Sequence, residues 1–161
     1  MSRPPSVEGE TVETSAEVPQ APFAGVDHVG IVVRDLEASL PYYVGMLGMT
    51  VISEDRNVTA NVRLIYLDAG NMTVQLVSPY GPGAVAEHLE HHGEGLHHIC
   101  FEVDSIPDTI GLLAPGQDVA VSIGGFNRRT CFLPNRPNGL IMELLEREEV
   151  ADRTSMEQTD T

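Results

Sequence analysis

His28-Val-Gly-Ile-Val-Val-Arg-Asp-Leu36 and His98-Ile-Cys-Phe-Glu-Val-Asp-Ser-Ile106 are the two stretches on which the fold of this chain turns. They align at an offset of 70 residues, histidine against histidine and, at most positions, apolar against apolar. A second pair, Val74-Gln-Leu-Val77 and Met142-Glu-Leu-Leu145, aligns at an offset of 68. Two separate segments that share nearly one offset mark an internal repeat, and a repeat sets the architecture before any single element is read.

Outward from these anchors each copy has the same pattern: a β-branched apolar run, a short helical stretch, then three more strand-like runs punctuated by Asp, Asn, Gly or Pro. In the first copy Val26 to Val33 predicts the opening strand and Asp35 to Leu47 a helix, with Leu36, Leu40, Tyr43 and Leu47 at helical spacing and Gly48 as its stop. Thr50 to Asp55, Val62 to Asp68 and Met72 to Ser78 complete it. In the second copy the strands are Leu96 to Val103, Asp118 to Ile123, Arg129 to Leu133 and Leu140 to Leu145, with a helix at Pro107 to Leu113. The expected fold is α+β: two βαβββ modules, 25–80 and 95–146, placed edge to edge and curled into a half-barrel around a shared cleft, joined by a linker over 81–94 with a short helix in its middle.

Composition bounds what lies outside. Residues 1–24 hold four prolines, four glutamates and few large apolar side chains, and 147–161 are rich in acids, Thr and Ser. Neither buries enough surface to offset its ordering entropy, so both are expected to be disordered acidic tails. The net charge is −15, of which −8 falls on 25–145, a surface that disfavours nucleic acid. There is no lysine, which removes Schiff-base chemistry and a lysine-anchored phosphate loop. No signal-peptide pattern and no apolar run of about 18 residues is present, so the expectation is a cytoplasmic protein without a membrane partner. Cys100 and Cys131 sit singly in apolar runs and read as buried free thiols.

The repeat also selects the chemistry. His28 and His98 hold matched places on the two opening strands, and Gln75 and Glu143 matched places on the two closing strands. Each interrupts an apolar run, where an uncompensated polar group is costly. Two imidazoles, a carboxylate and an amide oxygen form an N/O donor set suited to one divalent ion per chain, Zn, Co, Ni, Mn or Fe, rather than calcium.

Asp27-His-Val-Gly-Ile31, Tyr42-Tyr43, Leu47-Gly48, Gly95-Leu-His-His-Ile-Cys-Phe-Glu-Val103 and Leu140-Ile-Met-Glu-Leu144 together resemble the vicinal oxygen chelate superfamily, which includes glyoxalases, bleomycin resistance proteins and dioxygenases. Within it the sequence is most similar to methylmalonyl-CoA epimerases, over about residues 25–146. The resemblance implies a metal held by His28, Gln75, His98 and Glu143, with Glu143 also a base. It implies a metal-stabilised enolate formed by removing the proton α to a carbonyl, and a homodimer. Some such epimerases place a second acid/base glutamate on the third strand near Val62 to Leu64; this chain has none there, and its second proton carrier is unassigned.

The expected substrate is a small carbonyl compound, methylmalonyl-CoA-like or a cyclic sugar-like ketone. Arg128, Arg129 and Arg136 are candidates to bind its phosphate or carboxylate bidentately. A glyoxalase-type lyase, a metal-dependent resistance enzyme, a ring-cleaving dioxygenase and a drug-sequestering protein are the alternatives on the same fold. His88 and His92 have helical i, i+4 spacing but no accompanying carboxylate motif, and read as a surface helix. His97 is expected to point away from His98.

Overall fold

The computed structural model describes residues 22–148. The first module runs β1 (Phe23–Val32), α1 (Leu36–Leu40), β2 (Thr50–Asn57), β3 (Val62–Asp68) and β4 (Thr73–Pro79). Helix α2 (Ala84–His92) links it to β5 (Gly95–Val103), α3 (Ile106–Leu113), β6 (Val121–Ile123), β7 (Arg129–Phe132) and β8 (Ile141–Glu146). The repeat recurs in the caps: Asp35 accepts from the Ala38 amide at 3.0 Å to start α1, and Ser105, seventy residues on, accepts from Asp108 at 3.3 Å to start α3.

All eight strands join one mixed sheet, ordered β2-β3-β4-β1-β5-β8-β7-β6 and curled as a half-barrel. In each module the closing strand returns parallel to the opening one, β4 on β1 and β8 on β5. The opening strands β1 and β5 pair antiparallel at the centre and fuse the two modules. On the convex side α1 covers a core built on Leu36, Leu67 and Leu76, and α3 covers one built on Ile106, Val103 and Leu144. On the cleft side α2 packs Leu89 and Val85 over Val32, Val62, Leu64 and Val77. No helix among the described residues is long and apolar enough to cross a membrane.

Three details differ from the sequence reading. The helix expected over Asp35 to Leu47 is α-helical only to Leu40 and continues as a π-helical turn, Pro41–Met46, in which the Leu47 amide donates to the Tyr42 carbonyl five residues back at 3.0 Å. Pro41 has no N–H to continue the α ladder, so the turn widens, and Gly48 at φ +72° then ends it. Strand β1 begins at Phe23, whose ring stacks on Phe101 with centroids 4.5 Å apart. Strand β6 is only three residues long. The expectation of disordered tails falls mainly on 1–21 and 149–161, outside the described residues.

Candidate metal centre

Strand register brings the candidate residues together as two rows across the cleft face. One row runs Tyr66, Gln75, Gly30, His98 and Ile141 over β3, β4, β1, β5 and β8; the next runs His28, Cys100, Glu143 and Phe132 over β1, β5, β8 and β7. Small residues, Gly30 and Cys100, occupy the two central positions, which leaves room above them for the longer side chains of their neighbours. His28, Gln75, His98 and Glu143 are all buried, between 3 and 8% exposed.

Three of the four converge on one point. His28 Nε2 lies 3.2 Å from His98 Nε2 and 3.4 Å from Glu143 Oε2, and His98 Nε2 lies 3.0 Å from the same oxygen. Each ring is held by its other nitrogen. His28 Nδ1 lies 2.7 Å from Asp27, a carboxylate to which it donates, so a neutral His28 keeps its Nε2 lone pair toward the cleft. Burial raises Asp27, but the bond to His28 and the charges of His28 and Arg128 outweigh it and hold the carboxyl below its ordinary range. His98 Nδ1 lies 2.8 Å from His97 Nδ1, and when His98 donates there its Nε2 also faces the cleft as a lone pair.

Glu143 and Gln75 are oriented in the same manner. Thr130 donates to Glu143 Oε1 at 2.5 Å, leaving Oε2 toward the imidazoles. The amide nitrogen of Gln75 donates to the Tyr66 hydroxyl at 3.0 Å, so its carbonyl oxygen is the atom free for another partner. Burial pushes the Tyr66 phenol well above its ordinary value, so the hydroxyl stays protonated.

Two imidazole nitrogens and a carboxylate facing one another at 3.0–3.4 Å inside a buried floor favour a proton or a cation between them. Without a metal, protons fill that role. For His28 burial favours the neutral ring, but the bonds to Asp27 and Glu143 and their charges prevail and lift it to about 9. For Glu143 burial favours the acid, but His28 and His98 hold it far below the ordinary carboxylate range. A divalent ion would take the place of those protons. Cys100 also approaches Asp27 and His28 as a group able to hold a cation, yet burial and the Glu143 charge push its thiol far up, which disfavours a thiolate ligand.

The three candidate arginines separate. Arg128 bridges Asp27 at 3.1 Å, Glu102 at 2.8 Å and the Glu146 carbonyl, and Arg129 pairs with Glu146 at 2.6 Å, so both are engaged by the protein's own groups. Arg136 instead lines a cavity beside the site. His97 departs from expectation. Gly30 pairs with His98 but Ile31 pairs with Leu96, so His97 is the extra residue of a β-bulge, and its ring lies beside that of His98 rather than opposite it. Sequence reading gave no role to Asp27, Thr130 or Tyr66. Asp27 adjoins His28 in the quoted motif, whereas Thr130 and Tyr66 are placed only by cross-strand register.

Comparison with known proteins agrees with this architecture. Residues 27–132 match the model of the glyoxalase/bleomycin resistance protein/dioxygenase superfamily. An ethylmalonyl-CoA/methylmalonyl-CoA epimerase of Cereibacter sphaeroides is 34% identical over 127 residues, 74% of this chain and 95% of that one. Among solved structures, methylmalonyl-CoA epimerase from Mycobacterium tuberculosis superposes with a TM-score of 0.72 at 27% identity, covering 79% of this chain and 90% of the other. A variant of the Streptomyces coelicolor methylmalonyl-CoA epimerase, in complex with 2-nitronate-propionyl-CoA, superposes at 0.68 with 29% identity, covering 77 and 97%. The chain belongs to the glyoxalase/bleomycin resistance protein/dioxygenase superfamily, the vicinal oxygen chelate fold, and within it is similar to methylmalonyl-CoA epimerases.

Proposed function

We propose that this protein is a metal-dependent epimerase that moves the proton α to the carbonyl of an acyl-CoA thioester, with His28, Gln75, His98 and Glu143 holding the metal. The observation that carries the reading is the convergence of His28 Nε2, His98 Nε2 and Glu143 Oε2 within 3.0–3.4 Å of one another on a buried floor. The N/O donor set suits zinc, cobalt, nickel, manganese or iron. Such an ion, when bound, supplies Lewis-acid stabilisation of the negative charge that grows on a carbonyl oxygen as its α-proton leaves.

The chain's own residues do the rest. Asp27 and His97 fix the two imidazoles in orientation. Thr130 aims Glu143, which is suited to take the proton from one face of the α-carbon. The cleft face of β3 presents Val62, Leu64 and Tyr66, and the one carboxylate on that face of the strand, Asp68, is exposed at its end, so inversion needs a proton delivered to the other face by a different group or by water. The names of the similar enzymes support methylmalonyl-CoA or ethylmalonyl-CoA as substrate.

The test is solvent deuterium incorporation into methylmalonyl-CoA, together with elemental analysis of the wild type, His98→Ala and Glu143→Ala. The expected result is about one metal per chain, lost in both variants together with exchange and epimerisation. Metal-bound protein that exchanges no α-proton but converts a hemithioacetal would move the chain to the lyases. Metal-free protein that binds small molecules equally well in all three forms would make it a sequestering protein.

A further inference from the structure

A cavity of about 550 Å³ lies between α2 and the segment joining β7 to β8, with Val85, His88, His92, His97, Phe132 and Arg136 in its wall. It adjoins the metal centre. His97 bonds to His98, and the Phe132 ring centroid lies 5.6 Å from that of His98. The histidines form a continuous run: His88 stands 4.5 Å from His97 and 4.7 Å from His92, centroid to centroid.

The charge pattern of the wall is unusual for this molecule. The chain has a net charge of −15 and no lysine, so positive side-chain charge for an anionic ligand must come from arginine or histidine. Arg63, Arg128, Arg129 and Arg147 are each tied to carboxylates of the protein, and Arg56 lies over the Tyr80 ring. Arg136, like Arg34, has no carboxylate within ion-pair distance among the described residues, but it is Arg136 that lines this cavity, together with Glu87. Arg136 and His88 share the cavity wall, and burial first, then the charges of His92 and Arg136, hold the His88 ring below its ordinary value.

We propose that this cavity is a subsite for an anionic group of the substrate, a phosphate or a carboxylate, gripped by Arg136 with His88 and His92 as neighbouring hydrogen-bonding groups. Val85, Phe132 and Ile141 supply an apolar wall for the linker that carries the anion from the metal centre. The subsite rests on the acyl-CoA reading in one respect only, that the ligand enters from the metal centre. Within that reading the anion is either a phosphate of the carrier or a carboxylate at the far end of the acyl group.

The test is calorimetric titration of the full-length protein with two probes, each against wild type, Arg136→Gln and Arg136→Lys. Coenzyme A carries phosphates and no acyl group; glutarate carries carboxylates and no phosphate. The expected result is that at least one probe binds wild type, weakens by roughly tenfold or more in Arg136→Gln, and recovers only part of that loss in Arg136→Lys, which keeps the charge but not the bidentate fork. An effect on coenzyme A alone assigns the phosphate, and an effect on glutarate alone assigns the carboxylate. No binding of either probe to wild type, or equal binding by Arg136→Gln, overturns the subsite. Arg136-dependent binding in a protein that exchanges no α-proton would leave the subsite standing while the epimerase reading falls.

Discussion

The ring of His98 occupies the space that a side chain at Gly30 would fill. A Cβ built on Gly30 would stand 2.0 Å from His98 Cε1, 2.3 Å from Nδ1 and 2.6 Å from Nε2. Glycine is required here by close approach, since only the absence of Cβ lets the imidazole lie over β1 and reach the point that His28 and Glu143 share.

Gly30→Ala should therefore disable the site while leaving the sheet intact. The His98 ring has to swing aside, and metal affinity should fall by about 10–100-fold, as when support around a metal ligand is lost. Gly111→Ala, in α3 with nothing within 4 Å of the added Cβ, is the control and should gain up to about 1 kcal/mol from helix propensity. Metal retained after dialysis against a competing chelator separates the two. Wild-type retention by Gly30→Ala would mean that the ligand geometry does not depend on this contact.

On the metal-site proposal, removing the metal should make stability depend on pH in a particular direction. His28 is lifted from 6.5 to about 9, so its contribution is complete below about pH 6.5 and lost as pH rises through 9. Glu143 is lowered from 4.5, so its contribution is present above about pH 4.5 and lost as pH falls. Chelator-treated protein should be most stable between these limits and lose on the order of 3 kcal/mol toward alkaline pH. With metal bound the imidazoles are neutral ligands, so the alkaline loss should vanish while acid, which competes with the metal, destabilises more steeply. Urea midpoints across pH 4 to 10, with and without chelator, carry the comparison, and an alkaline loss indifferent to metal would contradict it.

The sequence carried the architecture because the repeat is written in side chains that have to face the cleft. His28 with His98 and Gln75 with Glu143 stand out where apolar residues would otherwise continue, and alternation along a strand fixes which face they share. The groups that orient them were harder to read. Thr130 meets Glu143 only through the β7–β8 register, and Tyr66 meets Gln75 only through the β3–β4 register; neither pairing leaves a local signal. The bulge at His97 reverses the face that simple alternation assigns, as one inserted residue must. Pro41, read as a helix residue, widened the turn that it entered.

The two thiols should be inert in the folded protein. Cys100 and Cys131 are 0 and 1% exposed, and burial with the Glu143 charge pushes Cys131 up to about 11 and Cys100 higher still. An aromatic disulfide reagent at pH 8 should label neither, and both should react once denaturant is added. Cys100 lies in register between His28 and Glu143, so its labelling requires the candidate metal centre to open. Added metal should slow Cys100 labelling further and leave Cys131 less affected, as peptide mapping of the labelled protein would read out. Equal protection of both thiols by metal would point to global rather than local opening.

Thr130 tests whether the orientation of Glu143 matters to the chemistry as well as to the fold. Its hydroxyl donates to Glu143 Oε1 at 2.5 Å and lies 2.8 Å from the Leu144 carbonyl, in a position 3% exposed. Thr130→Val keeps the shape and removes the donor, leaving a buried carboxylate oxygen unsatisfied at a cost of about 1–3 kcal/mol. Thr130→Ser keeps the donor and should behave nearly as wild type. If Glu143 is ligand and base, the valine variant should lose α-proton exchange by about 10–100-fold. The acid side of its pH–rate profile should also move to higher pH, because a carboxylate that loses a hydrogen bond is easier to protonate. A packing role alone would lower stability without shifting the profile. A valine variant that is less stable but exchanges protons with the wild-type pH dependence would therefore remove Thr130, and the aim it gives Glu143, from the catalytic account.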